Sequence, residues 1–170
     1  MTQTLNEIFD FEIHKDVVDN LAFLDEILVE LGVEPALRNK DFEVNKSGAG
    51  TNGVDFAVVS NENRCSIEMW ILIETWGIRL DIDGIPETFE WTNKQITDSR
   101  KSVSDFIKHI FTGYISINAR RSSRFIQIFD SNGVFVHQQS RNSLFHILTG
   151  IYLERNGNQR RLFLPFLTKS

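Results

Sequence analysis

A chain of 170 residues, 41% hydrophobic and 24% charged, has the composition of one globular domain, not of a disordered tail, and can bury a core without a disulfide or structural metal. Its single cysteine, Cys65, excludes an internal disulfide, and no run of about 18 apolar residues is present to cross a membrane. The net charge of −5 hides a division: residues 1–90 hold 19 of the 23 acidic and 6 of the 18 basic residues, a local charge of −13, whereas residues 91–170 carry +8.

Met1 to Phe11 includes Glu7 and Asp10 and lacks an apolar run, so no signal peptide is expected and, with the lone thiol, a cytoplasmic location is. A short helix is expected over Thr4–Phe11. The first long helix is expected over Asp16–Leu31, because Val17, Leu21, Leu24, Leu28 and Leu31 recur at steps of three and four. Asp16 is its expected N-cap and Gly32 its C′ residue, and Pro35 stops any continuation. Lys46–Gly53 reads as a flexible loop.

Strands follow. Val54–Val59 is β-branched and aromatic, and in Arg64–Ile73 the alternation puts Cys65, Ile67, Met69, Ile71 and Ile73 on one face. Asp83-Gly84 is a type I′ hairpin signal between Trp76–Ile82 and Ile85–Trp91. Counting outward from that turn sets Ile82 opposite Ile85, Leu80 opposite Glu87, Ile78 opposite Phe89 and Trp76 opposite Trp91. The second long helix is expected over Asp98–Thr112, where Val103, Phe106, Ile107, Ile110 and Phe111 line one face and Gly113 ends it.

Strands Tyr114–Ala119, Arg124–Phe129 and Val134–His137 come next, then a helix over Asn142–Thr149. Asn156-Gly157 signals a last hairpin joining Ile151–Arg155 to Arg160–Phe166. His109-Ile110-Phe111-Thr112-Gly113 returns as His146-Ile147-Leu148-Thr149-Gly150, which would make the C-terminal half a helix–hairpin unit used twice. The whole is expected to be a single α+β domain over residues 1–170: an antiparallel sheet built from β-hairpins, with two or three helices packed on one face. Residues 1–91 form an acidic part and 92–170 a basic one.

The chemistry-bearing side chains are weighed against plain structural roles. His14, His109, His137 and His146 are too dispersed for a metal site, so no metal and no cofactor is expected. Cys65 precedes an apolar strand face and reads as an inert buried thiol. Asp81 with Asp83, and Glu87 with Glu90, are paired carboxylates that a solvated strand face explains equally well. Phosphate-loop, nucleophile-elbow and zinc-protease motifs are absent, and no motif assigns a family.

Two surfaces remain. The first is the acidic hairpin region with interleaved tryptophans: Glu68, Trp70, Glu74, Asp81 and Asp83 are the expected residues of a non-catalytic protein-binding module. Such a module, of the inhibitor or immunity type, would bind a basic protein. The second, as the alternative, is anion or nucleic-acid binding through the hairpin-tip arginines Arg120, Arg121, Arg124, Arg155, Arg160 and Arg161, although a pI of 5.4 is low for that purpose. An enzyme of unrecognised type using the strand carboxylates is the third. No membrane partner is expected, and the oligomeric state is left open.

Overall fold

The computed structural model describes residues 8, 9, 11–45, 49–58, 68–83, 85–120, 123–142 and 159–163. The fold is α+β: helices accompany a five-stranded and a four-stranded antiparallel sheet. The chain clusters into two compact units, one of residues 1–63, 67–106 and 169–170, the other of residues 64–66 and 107–168.

In the first unit, helix α1 (Lys15–Glu30) buries Val17, Leu21, Leu24 and Leu28, the residues its periodicity selects, together with Asn20, Phe23 and Ile27. Its N-cap is His14, not Asp16: the His14 Nδ1 accepts the Asp16 N–H at 3.2 Å, and Asp16 sits in the first turn, where a carboxylate is favoured by the helix dipole. The C-terminus closes as a Schellman motif. Gly32 has φ 77°, its N–H donates to the Val29 carbonyl at 2.9 Å, and the Val33 N–H reaches the Leu28 carbonyl at 3.0 Å. Asp25 then accepts the Ala36 N–H at 2.7 Å and fixes the turn that begins at Pro35.

The sheet of this unit runs in the order β1 (Phe42–Val44), β2 (Gly53–Val58), β3 (Met69–Glu74), β4 (Gly77–Ile82), β5 (Ile85–Thr92). Just before β2, Gly50 and Gly53 exchange hydrogen bonds of 2.9 and 3.1 Å, making a tight turn; residues 46–48 of the expected loop lie outside the described residues. Val54, Phe56, Val58, Met69, Ile71, Ile73, Ile78, Leu80 and Ile82 are buried on one face, against which α1 packs. This is the period-two pattern expected of a sheet with one covered side. The earlier part of the alternating run, with Cys65 and Ile67, lies outside the described residues.

The β4–β5 hairpin departs from the expected register. Asp83 takes the left-handed conformation (φ 56°) and Ile82 pairs with Ile85, as a two-residue turn requires. Beyond that pair the ladder shifts, so that Leu80 faces Phe89, Ile78 faces Trp91 and Gly77 faces Thr92. Pro86 has no N–H to give a ladder, and the buried Thr88 hydroxyl accepts the Ile82 N–H at 3.1 Å in place of a strand carbonyl. Trp76 therefore does not face Trp91. It lies in the β3–β4 turn, 38% exposed. Gly77 permits the strand contact that follows, since a Cβ there would strike the Trp91 carbonyl.

A short helix α2 (Asn93–Asp98), not expected from the sequence, follows β5. Its signal is a capping box: Thr92 Oγ1 accepts the Gln95 N–H at 3.3 Å, and Gln95 Oε1 accepts the Thr92 N–H at 2.8 Å. The long helix α3 begins only at Arg100 and runs to Thr112. Its Phe106 meets Phe89 and Trp91 edge-on, at ring-centroid distances of 5.2 and 5.9 Å.

In the second unit, Ile107, Ile110 and Phe111 of α3 are buried, as are Ile115 and Ile117 of β6 (Tyr114–Arg120) and Ile126 and Ile128 of β7 (Ser123–Phe129). The strand order is β8 (Phe135–Asn142), β7, β6, β9 (Gln159–Phe163). The strand expected over Val134–His137 is thus the start of a longer one. Asn142, the expected first residue of a helix, is instead the last residue of β8; residues 143–149, the second His-Ile-Leu-Thr-Gly copy and the first strand of the last hairpin lie outside the described residues, as does most of the short N-terminal helix.

Candidate functional site

Strand register, read across the first sheet, defines what the face opposite α1 carries. Glu43, Ala57, Trp70 and Asp81 align in one row across β1 to β4. Asp55, Leu72, Arg79 and Glu90 align in the next, across β2 to β5. Side chains alternate along a strand, so these rows lie opposite the buried valine, isoleucine and leucine rows. Glu43, Glu68 and Glu90 are exposed; Asp55, Trp70, Leu72, Glu74, Arg79 and Asp81 are half-buried.

Four of the five residues expected in a protein-binding site come together. The Trp70 indole N–H donates to Glu68 Oε1 at 2.6 Å, which holds the ring beside that carboxylate. Asp81 stands opposite Trp70 in register. The Asp83 N–H donates to the Glu68 carbonyl at 2.7 Å, tying the turn to the start of β3. Glu74 lies at the other end of β3, opposite Gly77, and groups instead with Asp55.

Asp55 and Arg79 are the main residues that sequence reasoning missed. The Arg79 Nε lies 3.1 Å from Asp81 Oδ1, and the Arg79 Nη2 donates to Asp81 Oδ2 at 3.3 Å. Their side chains are 22% and 16% exposed, so the pair is held close to the sheet and not splayed into water. Burial raises the Asp55 pKa above its ordinary value. The Glu74 carboxylate adds to that rise, the Arg79 guanidinium opposes it, and Asp81 contributes a smaller rise.

The other two tryptophans serve elsewhere. Trp91 faces Ile78, on the covered side, and stacks on Phe89 with centroids 6.3 Å apart. Trp76 occupies the turn described above. Trp70 alone of the three lies on the face opposite α1. Among the described residues, no group of three or more His, Cys, Asp and Glu side chains is placed to hold a metal ion, and no helix is long and apolar enough to cross a membrane.

For the arginine set, register gives backbone positions. Arg120 pairs with Ser123, and Arg124 pairs with Ala119 on one side and Arg141 on the other. On β9, Arg160 pairs with Asn118 and Arg161 with Ile117. Arg121 and Arg155 lie outside the described residues. His14 serves as a helix cap, and His109 lies in the last turn of α3, where a positive charge would be favoured.

Comparison of the chain with models of protein families found no match, and comparisons with curated proteins and with solved structures found none either.

Proposed function

We propose that the protein is a non-catalytic protein-binding module, of the inhibitor or immunity type, that meets a basic partner with the face of its five-stranded sheet opposite α1. The observation that carries this reading is the placement of carboxylates around a fixed aromatic. Glu68, Asp81 and Asp83 stand close to Trp70, while Glu43, Asp55, Glu74 and Glu90 occupy the same face around Leu72. Among the described residues Arg79 is the one cation in these rows, and Asp81 neutralises it. An indole already held by a hydrogen bond loses little side-chain freedom on binding, and a surrounding field of one sign speeds encounter with a partner of the other. The lone Cys65 suits a reducing compartment, and we place the action of the module in the cytoplasm.

The test is capture from a native cell extract by the wild-type chain and by a triple variant, Glu43→Lys/Glu68→Lys/Glu90→Lys, which changes exposed positions and should leave the core intact. A basic protein retained by the first and lost by the second is the expected result. Its association rate should fall about tenfold or more with the reversal, and the wild-type rate should fall with salt. Capture that is identical for both chains would overturn the reading.

A second reading rests on a separate observation: Arg124 and Arg141 are direct cross-strand neighbours. Arginine guanidinium groups bind anions bidentately, and this reading takes the arginine-bearing strands of the second sheet as the anion site. This reading expects affinity for single-stranded nucleic acid that falls steeply with salt, with a shallower slope in Arg124→Gln and Arg160→Gln. Absence of binding at low salt would exclude it.

A further inference from the structure

The face of the first sheet opposite α1 is uneven in charge. On β4 the Arg79 guanidinium lies against the Asp81 carboxylate, so a cation and an anion cancel there. On β1 to β3 the charged residues that alternation turns to this face are Glu43, Asp55 and Glu74, with Glu68 just ahead of β3. No cation stands among them in the described residues of these strands. The unmatched negative charge of the face therefore sits over its first three strands.

The face is uneven in height as well. Ala57 on β2 stands between Glu43 of β1 and Trp70 of β3, in ladders that run unbroken from Phe42 opposite Val58 to Gly53 opposite Glu74. Residues directly opposite on neighbouring strands hold their Cβ atoms about 5 Å apart. Ala57 ends at that atom, whereas Glu43 and Trp70 carry long side chains on either side. The result is a notch one side chain wide, with a methyl floor, an indole on one wall and a carboxylate on the other. Asp55, two residues back on β2, closes one end of it. Glu43 is exposed and Asp55, Ala57 and Trp70 are half-buried, so solvent reaches all four. The indole is kept from folding across the floor, because its N–H donates to Glu68 Oε1 at 2.6 Å and draws the ring along β3.

Resting on the reading of this face as a protein-binding surface, we infer that the notch over Ala57 receives one arginine side chain of the basic partner, stacked on Trp70 and paired with Glu43. An apolar side chain placed there would take water from Glu43 and Asp55 and return no counter-charge. A lysine would supply the charge as a compact ammonium. A guanidinium is planar, so it stacks on the indole, and its fork of N–H groups meets a carboxylate with two hydrogen bonds at once. The methyl floor leaves room for the aliphatic part of the arginine, which carries its own apolar surface.

The probe is N-acetyl-arginine amide, with N-acetyl-citrulline amide as its uncharged isostere. The readout is the Trp70 indole N–H resonance of the full chain, identified by its loss in Trp70→Phe. The native chain should show a saturable shift with the arginine probe and none with citrulline. Ala57→Leu fills the notch and keeps every carboxylate, and it should weaken the arginine probe about fivefold or more. Glu43→Gln, at an exposed position where folding is not at risk, should do the same. A native resonance that arginine leaves unmoved up to its solubility limit overturns the inference. So does an equal shift with citrulline, or either variant binding as the native chain does. Suppose that a basic protein captured by the native chain is lost with Glu43→Lys/Glu68→Lys/Glu90→Lys yet held undiminished by Ala57→Leu; the acidic face then stands and the notch falls. Should the probe behave as expected and no basic protein be captured, the notch stands and the binding module falls.

Discussion

Asn20 and Asn93 join three segments of the first unit through two side-chain amides. The Asn20 Nδ2 donates to Asn93 Oδ1 at 2.8 Å and to the Glu74 carbonyl at 2.9 Å, while the Asn93 Nδ2 donates to the Thr75 carbonyl at 2.7 Å. The β3–β4 turn is thereby fastened to α1 and to the start of α2, with Asn20 only 6% exposed. Asn20→Ala removes one donor and leaves two acceptors with less than their share. It should cost about 1–3 kcal/mol in urea unfolding. Asn20→Asp should cost more, since it brings a charge against those same oxygens. The double variant with Asn93→Ala should cost less than the two single effects added, because the two residues share a bond.

Thr88 carries the irregular part of the β4–β5 hairpin. Its hydroxyl is fully buried and is the acceptor for the Ile82 N–H. Thr88→Val keeps the shape and removes that acceptor, so a loss of about 1–3 kcal/mol is expected. Thr88→Ser keeps the oxygen and should lose less. Equal losses in the two variants would show that methyl packing, not the hydrogen bond, governs the site.

These two positions also mark where sequence reasoning stops. Helix faces were legible because apolar spacing is a local signal: Val17, Leu21, Leu24 and Leu28 are buried, and so are Val103, Ile107, Ile110 and Phe111. The turn at Asp83 was legible for the same reason, since its residue type matches its backbone angle. Register beyond the turn was not. Counting from a two-residue turn assumes an unbroken ladder, and Pro86 with Thr88 breaks it within four residues. Helix α2 had a signal that was passed over, the Thr92 to Gln95 capping spacing.

The candidate face was legible in part. Glu68, Trp70, Asp81 and Asp83 lie on β3, on β4 or at their ends, where alternation and a short turn place them. Asp55 was out of reach because β2 joins β3 through residues 59–68, and a connection of that length sets no register. Arg79 was within reach as the partner of Asp81, since residues two apart on a strand share a face and the ion pair needs no cross-strand argument.

Asp55 makes a prediction about pH. Its folded-state pKa is raised above the ordinary 3.8, chiefly by burial and then by Glu74, so the folded chain holds this proton more tightly than the unfolded chain does. Its contribution to stability is therefore greatest in acid, declines as pH rises from about 3.8 through the raised value, and stays at the lower level above it. Asp55→Asn removes the charge and keeps the shape. The variant should be more stable than the wild type at neutral pH, with the difference closing as pH falls toward 3.8. Thermal unfolding of both chains across that range is the measurement, and a variant less stable at pH 7 would contradict the assignment.

Gly113 offers the sharpest steric test. It follows α3 directly, its N–H donates to the His109 carbonyl at 2.8 Å, and a Cβ placed on it would collide with the Phe129 carbonyl and crowd that of His109. Both obstacles are backbone, so no side chain can swing aside to make room. Gly113→Ala would ordinarily gain a few tenths of a kcal/mol by restricting the unfolded chain. Here the clash dominates, and a net loss of about 2 kcal/mol or more is expected, at the upper end for single substitutions. Gly32→Ala provides the contrast. Its φ of 77° strains an alanine, but nothing lies within 4 Å of the added carbon, so its loss should stay near 1 kcal/mol. Urea unfolding of the two variants side by side separates steric collision from backbone strain. A Gly113→Ala loss no larger than that of Gly32→Ala would mean that β7 gives way at Phe129.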